Sequence, residues 1–191
     1  MRALKVIIGV LVAITALVMG IGLFLPKDYR VERSIQIEAP PELVFDQVNS
    51  FRNWDEWSPW LAQDPTIKNE FSGPDSGVGA KVAWTSQDSG EGSQTITSSE
   101  RPKRIETRLD FGDMGQPGAD FSFEPRGDGT LVTWGLSGTG VGALGGYFAQ
   151  FLDRLIGPTY EDGLTRLKRV SEEKAAGQAP EADTDPQPIT D

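Results

Sequence analysis

The chain has 191 residues, of which 18 are basic and 28 are acidic, so its formal net charge is −10. It contains no His and no Cys. These absences exclude imidazole general bases, Ser-His-Asp triads, thiol nucleophiles, disulfides and thiolate metal sites. The acidic balance argues against nucleic-acid binding, which depends on Lys and Arg to neutralise phosphates. The length suits one domain with its own hydrophobic core.

The first predicted element is a membrane-spanning helix. From Val6 to Leu25 the chain has 20 consecutive uncharged residues, and Thr15 is the only polar side chain among them. At about 1.5 Å per residue such a helix is roughly 30 Å long, which matches the hydrocarbon core of a bilayer. A cleaved signal peptide has a shorter apolar run and a cleavage site of small residues. We therefore expect residues 1–26 to form an uncleaved signal anchor.

The orientation of this anchor is not fixed by basic residues, because Lys and Arg occur on both sides of it. A long acidic domain that follows a first span is usually the translocated part. We expect an inner N-terminus and a soluble domain on the periplasmic, or outer, face of the inner membrane. The lack of Cys is compatible with that compartment.

After the anchor, residues 29–37 alternate between two faces, which predicts a half-buried strand. Pro40 and Pro41 then end the strand and open a helix, because proline suits the first helical turn. The segment that follows holds three of the five tryptophans, Trp54, Trp57 and Trp60. Trp54 and Trp57 are three residues apart and would share one face of a short helix.

Between residues 64 and 139 the chain has the pattern of strands separated by Gly, Pro, Asp and Ser turns. Apolar and polar residues alternate clearly around Leu109 and Phe121. We predict strands at residues 68–71, 80–87, 93–99, 104–111, 119–125 and 131–137. An antiparallel sheet with one covered face and one wet face fits this pattern.

From Phe148 to Val170 the apolar spacing is helical. Pro158 should kink or break this segment near Gly157, so two consecutive helices are an alternative to one long helix. One helix face against one curved sheet predicts a two-layer α+β domain over residues 27–173. Residues 174–191 contain three prolines and almost no large apolar side chain, and we expect a disordered acidic tail.

In this order of elements the chain resembles the START-like helix-grip fold, in particular the polyketide-cyclase/dehydrase-like branch of the SRPBCC superfamily. The resemblance rests on Ser34-Ile35-Gln36-Ile37-Glu38-Ala39-Pro40, Trp54-x-x-Trp57-Ser58-Pro59-Trp60 and Gly163-Leu164-x-x-Leu167-Lys168. It implies a curved antiparallel sheet that grips the long C-terminal helix, with an apolar cavity between them for a lipid or other hydrophobic molecule. It does not imply one reaction, because a fold does not decide function.

Large apolar side chains are the candidates for the lining of such a cavity, although each of them could instead fill the core. The predicted ligand-cavity residues are Trp54, Trp57, Trp60, Phe71, Trp84, Phe111, Phe121, Trp134, Phe151 and Leu155. An aromatic side chain near residues 54–60 could also enter the headgroup layer of a membrane. No catalytic residue, metal ligand or cofactor is predicted.

Three other motifs are better explained as local structure. Gly140–Gly145 matches the dinucleotide-binding pattern G-x-G-x-x-G, but the tail that follows supplies no second parallel strand, so we expect a flexible loop that gates the cavity. Asp110-Phe111-Gly112 lacks the companion motifs of a kinase, and we expect a turn there. The acidic residues Asp110, Asp113 and Asp120 lack the spacing of a calcium loop.

The leading hypothesis is a membrane-anchored START-like domain that binds a hydrophobic or amphipathic small molecule, such as a lipid of its own envelope. A cyclase or dehydratase is an alternative; without His it would need an acid–base pair made from Asp, Glu, Tyr, Arg or Lys. A non-catalytic envelope scaffold is a third hypothesis. The missing His and Cys leave ligand binding untouched and make catalysis the weaker hypothesis.

Overall fold

A seven-stranded antiparallel sheet and a 34-residue C-terminal helix form the two layers of the fold in the computed structural model, which describes residues 2–178. In chain order the elements are α1 (Arg2–Phe24), β1 (Asp28–Ile37), α2 (Pro41–Val48), a 3₁₀ turn (Phe51–Glu56), α3 (Pro59–Gln63), β2 (Lys68–Ser72), β3 (Lys81–Thr85), β4 (Glu91–Glu100), β5 (Arg104–Asp110), a second 3₁₀ turn (Gly112–Met114), β6 (Gly118–Arg126), β7 (Gly129–Thr139) and α4 (Gly145–Gln178). This arrangement confirms the predicted helix-grip fold.

The strands follow the order β1-β7-β6-β5-β4-β3-β2, so the sheet is a meander whose last strand pairs with the first. β1 pairs with β7 along its whole length, from Asp28 opposite Thr139 to Ile37 opposite Thr130. All seven predicted strands are present, and their ends differ from the prediction by at most two residues. A register shift between Ile96 and Ser98 interrupts the β4–β5 ladder, an irregularity that locally bends and twists a sheet.

The inner face of the sheet carries the apolar half of the alternating pattern. α2 covers one end of this face and the second half of α4 crosses it. The side chains that meet there are almost completely buried and include Val31, Ile37, Val44, Phe45, Val48, Phe121, Phe123, Leu164 and Leu167. Burial of each such side chain contributes about 1.5–3 kcal/mol, so this packing is the main source of stability.

The outer face of the sheet carries a network of ion pairs instead. Asp120 of β6 lies directly opposite Glu106 of β5, a like-charge pair that is destabilising when it stands alone. Arg30 of β1 donates to Asp120 at 2.7 and 3.1 Å, and the Arg104 guanidinium lies 3.5 Å from the same carboxylate. The Arg30 guanidinium covers Gly135 of β7, where a Cβ would collide with it. Glycine at this position therefore lets one arginine reach across β7.

α4 is one continuous helix although it contains Pro158, so the alternative of two consecutive helices is wrong. Proline removes a backbone hydrogen bond and crowds the preceding turn of a helix. Here Arg33 of β1 supplies contacts that hold the helix on both sides of the proline. Arg33 lies against Gly157 and binds Asp153 at 2.8 Å and Glu161 at 2.7 Å, one carboxylate on each side of the proline. This bridge ties the turns on both sides of Pro158 to β1.

The end of α4 lies beyond the predicted start of the tail at residue 174. Lys174 donates to Gln47 at 2.7 Å and to Glu56 at 3.0 Å, and Ala175 packs against the core. These contacts extend the helix to Gln178. The rest of the predicted tail, residues 179–191, lies outside the described residues.

α1 differs from the other helices because almost all of its surface is apolar and exposed. Within residues 2–178 it is the one helix long and apolar enough to cross a membrane. Gly22 is its single buried residue. A core helix of a soluble domain would be covered, so the length and composition of α1 fit a membrane span or a signal sequence.

Gly163 tests the packing of α4 on the sheet. A Cβ at this position would lie 2.8 Å from the Trp134 indole and 3.0 Å from the Pro59 ring. We expect Gly163→Ala to lower the free energy of unfolding by about 1–3 kcal/mol, because both rings are rigid.

The matched control is Gly177→Ala in the same helix, where a Cβ would meet nothing within 4 Å and where helix propensity favours alanine. Both variants are compared with the unsubstituted full chain in detergent, by urea unfolding monitored through tryptophan emission. Equal stability of the two variants would contradict the close packing at Gly163.

Candidate functional site

An apolar cavity of about 430 Å³ lies between the inner face of the sheet and the first half of α4. This volume falls in the range of roughly 300–1,000 Å³ that is typical of small-molecule sites. All seven strands contribute to its wall, together with the first 3₁₀ turn, α3 and α4. From α4 the lining residues are Phe148, Leu152, Ile156 and Tyr160.

Packed aromatic rings form the deep wall of the cavity. The ring centroids of Trp134 and Tyr160 lie 3.8 Å apart with nearly parallel planes. Trp54 contacts Trp134 at 6.2 Å in an edge-to-face arrangement. Behind this wall Phe121 stacks on Trp134 at 4.9 Å, and Trp57 lies 4.6 Å from Trp54. Such pairs are worth about 0.5–1.5 kcal/mol each beyond the area they bury, so the wall is rigid.

The two tryptophans of the 3₁₀ turn are fixed by the end of α2. The Trp54 indole N–H donates to the Val48 carbonyl at 3.0 Å, and that of Trp57 donates to the Gln47 carbonyl at 3.2 Å. Both carbonyls belong to the last turn of a helix, which lacks intrahelical donors. The indole N–H groups therefore provide hydrogen-bond donors for the free carbonyls at the end of α2, while the rings point into the domain.

Two polar groups at the deep end of the cavity lack a protein partner. The indole nitrogen of Trp134 is buried and forms no hydrogen bond with any described residue. Tyr160 is only 3% exposed, and its hydroxyl takes part in none of the side-chain hydrogen bonds found among residues 2–178. Burial raises the pKa of Tyr160 far above its ordinary value, so the hydroxyl stays a neutral donor. A ligand that carries an acceptor would gain a contact there.

No described residue that lines the cavity carries a formal charge. The polar lining consists of neutral groups, and two of these are already engaged. The Gln94 amide donates to Thr107 at 2.8 Å, and the Ser89 hydroxyl donates to Asp64 at 2.6 Å. A charged ligand group inside would be buried without a counterion, at a cost of several kcal/mol. The interior therefore suits an uncharged molecule.

Asp64, at the end of α3, holds one edge of the wall in place. Its carboxylate accepts hydrogen bonds from the Thr66 amide at 2.9 Å, from the Thr66 hydroxyl at 2.6 Å, and from the hydroxyls of Ser86 and Ser89. The hydrogen bonds from Ser86, Ser89 and Thr66 hold the pKa of Asp64 well below its usual range. The β3–β4 turn, which contains Ser89, is thereby fastened to α3.

The structure distributes the ten predicted cavity residues over four environments. Five of them lie on the cavity wall: Trp54, Trp60, Trp84, Phe111 and Trp134. Trp57 and Phe121 lie behind the wall in the core. Phe71 lies outside the cavity, with the Arg52 guanidinium 4.8 Å from its ring centroid. Phe151 and Leu155 lie on the exposed side of α4.

Sequence reasoning missed the stripe of α4 that faces the cavity. Phe148, Leu152, Ile156 and Tyr160 recur every fourth residue, but so do the exposed Phe151 and Leu155. Two glycines in the sequence indicate which of these two stripes faces the sheet. Gly157 lies under Arg33 and Gly163 lies against Trp134, so they mark the side of the helix that packs closely on the sheet. Tyr160 lies midway between them.

The other motifs form local structure. Among residues 2–178 no three acidic side chains converge in a way that could hold a metal ion. Asp110 accepts from the Gly112 amide at 2.9 Å in the predicted turn. The Gly140–Gly145 segment joins β7 to α4, and no strand follows it within residues 2–178. Gly140 and Gly145 approach each other so closely that a Cβ on either would collide with the other's backbone.

The fold and the cavity together define a helix-grip domain with an uncharged internal site. The profile of the family described as "Polyketide cyclase / dehydrase and lipid transport" matches residues 28–172. The chain therefore belongs to this family. No curated protein gave a match.

Solved structures show the same fold at low sequence identity. A protein of unknown function from Staphylococcus aureus aligns with a TM-score of 0.60 and 14% identity over 78% of this chain and 96% of its own. A protein from Chromobacterium violaceum aligns with a TM-score of 0.57 and 16% identity over 75% and 98%. The di-domain ARO/CYC StfQ of the steffimycin biosynthetic pathway gives a TM-score of 0.59 and 12% identity over 78% of this chain. The match spans 52% of StfQ, about half of that di-domain protein.

The depressed pKa of Asp64 makes a prediction about pH. A carboxyl group whose pKa is lower in the folded state stabilises the fold above its unfolded pKa of about 3.9, and that contribution is lost as the pH falls through the folded value. We expect Asp64→Asn to be less stable than the unsubstituted chain at pH 7.

The difference in unfolding free energy between Asp64→Asn and the unsubstituted chain should shrink as the pH is lowered below about 4. Urea unfolding of both chains between neutral and acidic pH measures this difference. Exposed Asp88→Asn, in the same β3–β4 turn, is the control. A gap between the Asp64→Asn variant and the unsubstituted chain that stays constant to the lowest accessible pH would contradict the proposed role of the carboxylate.

Proposed function

We propose that this chain is a membrane-anchored domain that binds an uncharged hydrophobic or weakly amphipathic small molecule, such as a neutral lipid of its envelope, in the cavity. The observation that carries the proposal is the uncharged lining of a 430 Å³ cavity in an otherwise strongly acidic chain. Apolar walls with a few neutral polar groups are typical of small-molecule sites. The family description, which includes lipid transport, supports the same class of ligand.

The lining supports binding rather than the cyclase alternative. Tyr29 and Tyr160 are the titratable groups among the described lining residues, and burial raises the pKa of each. A general base works best with a pKa near the operating pH, so neither phenol suits that role at neutral pH. The fold itself is neutral on this point, because StfQ shares it and is described as an ARO/CYC.

The deep end of the cavity gives the ligand an orientation. The Tyr160 hydroxyl has no partner among the described residues and lies in an otherwise aromatic wall. A hydroxyl, ester or ketone oxygen of a ligand would accept its hydrogen bond, while the hydrocarbon part would fill the space lined by Leu152 and Ile156. A ligand with a charged headgroup would have to keep that group outside the mouth.

The anchor part of the proposal rests on α1. Its exposed apolar surface and its length support a signal anchor that stays attached to the domain. A long domain after the first span supports placement on the periplasmic, or outer, face of the inner membrane. The anchor would keep the cavity next to a supply of neutral lipid.

Filling the cavity should abolish binding. Ala119 of β6 is buried and points into the cavity, whereas Ser122 of the same strand points to the outer face. We expect Ala119→Phe to weaken binding of monoolein, an uncharged single-chain lipid, by about tenfold or more, because its ring occupies the ligand space.

Ser122→Phe, which adds a ring to the outer face of the same strand, should bind like the unsubstituted chain. Native mass spectrometry of the full chain released from detergent gives the bound fraction at each monoolein concentration, and also identifies any ligand that co-purifies. No monoolein binding and no co-purified apolar molecule in the unsubstituted chain would contradict the proposed function.

The Tyr160 hydroxyl makes a separate prediction. Loss of one neutral hydrogen bond costs about 0.5–1.5 kcal/mol, so Tyr160→Phe should weaken monoolein binding by about two- to tenfold. Thr165→Val, which removes an exposed hydroxyl from the same helix outside the cavity lining, is the matched control. Equal monoolein affinity of both variants in the same measurement would place the polar end of the ligand elsewhere.

A further inference from the structure

A group of exposed apolar side chains surrounds one end of the cavity. We name this group the apolar rim; its members are Met114, Val141, Leu144, Phe148, Phe151 and Leu155. Each is at least half exposed, from 50% for Phe148 to 76% for Met114. Large apolar side chains that cluster on a surface mark a site of interaction, whereas scattered single ones need no explanation.

The rim is continuous and belongs to the mouth of the cavity. Met114 and Phe148 both line the cavity and are exposed, so the opening lies between the β5–β6 turn and α4. A Cβ on Gly115 would lie 3.4 Å from Val141, which brings the turn next to the β7–α4 loop. Phe148, Phe151 and Leu155 follow at helical spacing on α4.

The β7–α4 connection also packs on the last turns of α1. The Tyr147 hydroxyl donates to the Val18 carbonyl at 3.0 Å. A Cβ on Gly22 would collide with the Ala143 carbonyl, and a Cβ on Gly146 would lie 2.5 Å from Leu25. Glycine on both sides therefore allows direct backbone contact between α1 and this connection.

These contacts set the depth of the rim relative to the apolar helix. Val18 lies six residues before Phe24, the last residue of α1, which is about 9 Å along the axis at 1.5 Å per residue. A side chain that reaches Val18 therefore lies beside the hydrophobic part of the span rather than beyond it. If α1 crosses a bilayer, the start of α4 is at the level of the outer hydrocarbon layer.

The sequence of this region suits that depth. Residues 139–152, from the end of β7 to the second turn of α4, contain no charged side chain, although about a quarter of the whole chain is charged. The first charges after this stretch are Asp153 and Arg154, and Asp153 pairs with Arg33. The uncharged connection therefore lies against the last turns of α1, and the charges nearest to it are Lys27 and Asp28, which follow the apolar helix; Asp28 accepts a hydrogen bond from Thr139.

We propose that the apolar rim is immersed in the outer layer of the bilayer, so that the mouth of the cavity opens to lipid rather than to water. This proposal rests on the proposed function, because it requires α1 to span the membrane. The occupant of the rim is the lipid, since the connection that carries Val141, Leu144 and Phe148 is joined to the flank of the spanning helix through Ala143, Gly146 and Tyr147. A ligand would then enter laterally without crossing water.

The test measures the surroundings of single residues in the full chain. Because the chain has no Cys, a single-cysteine variant can be labelled at one position only. A fluorophore is placed at Met114→Cys or Leu144→Cys in the rim, and at Val10→Cys in the middle of α1. The control is Asp128→Cys, in the exposed β6–β7 turn at the opposite end of β7. Each protein is reconstituted in phosphatidylcholine liposomes with either acyl-chain nitroxides in the lipid or iodide on both sides.

We expect the rim fluorophores to be quenched severalfold more by lipid nitroxide than the Asp128→Cys control, and severalfold less by iodide. Rim fluorophores that iodide quenches as strongly as the control overturn the proposal. Rim fluorophores shielded from both quenchers also overturn it, because a protein or a second copy then covers the rim.

The Val10→Cys fluorophore separates this failure from failure of the anchor. Quenching by lipid nitroxide at Val10→Cys without quenching in the rim overturns the immersed rim alone. No quenching by lipid nitroxide at Val10→Cys overturns both the anchor and the immersed rim. The monoolein measurement reports on the cavity independently of either result.

Discussion

Arg33 holds α4 across β1 at the turn where the helix contains a proline, and the shape of the cavity depends on this contact. The guanidinium binds carboxylates on both sides of Pro158 and packs against Gly157. Beyond this point the helix packs tightly, with Gly163 against Trp134 and with Leu164 and Leu167 in the core. Before this point the helix stands away from the sheet, and the space between them is the cavity. The part of α4 after Pro158 therefore helps to form the core, and the part before Pro158 helps to enclose the cavity.

The two faces of the sheet divide the chemistry of the domain. Charge is concentrated on the outer face, where Arg30 and Arg104 offset the adjacent carboxylates of Asp120 and Glu106. Along the cavity, the inner face carries only neutral groups. The carboxylate of the nearby Asp64 already accepts hydrogen bonds from hydroxyl and amide donors. An acidic protein can in this way keep an interior that favours an uncharged ligand, because none of its charges has to be desolvated to admit one.

The strands could be predicted from the sequence because period-two alternation reports directly on which face is covered, as at residues 29–37 and 119–125. The helix phase could not be predicted in the same way. Apolar residues occupy two neighbouring stripes of α4, one that lines the cavity and one that is exposed on the rim, and their composition does not show which stripe faces the sheet. The break expected at Pro158 did not occur because its compensation comes from Arg33, which is 125 positions away in the chain. Tertiary contacts of this kind leave no local signal.

The glycines between β7 and α4 illustrate how one pattern can serve a different physical purpose. In a dinucleotide site such glycines let the backbone approach a pyrophosphate. Here Gly140 and Gly145 let the loop close on itself, while Gly146 and Gly22 let it lie against α1. The requirement for close approach is the same, but the partner is the chain's own apolar helix. Because that loop leads into Phe148 at the mouth, the position of α1 and the position of the opening are fixed by the same few contacts. Any movement of α1 relative to the domain would therefore alter access to the cavity.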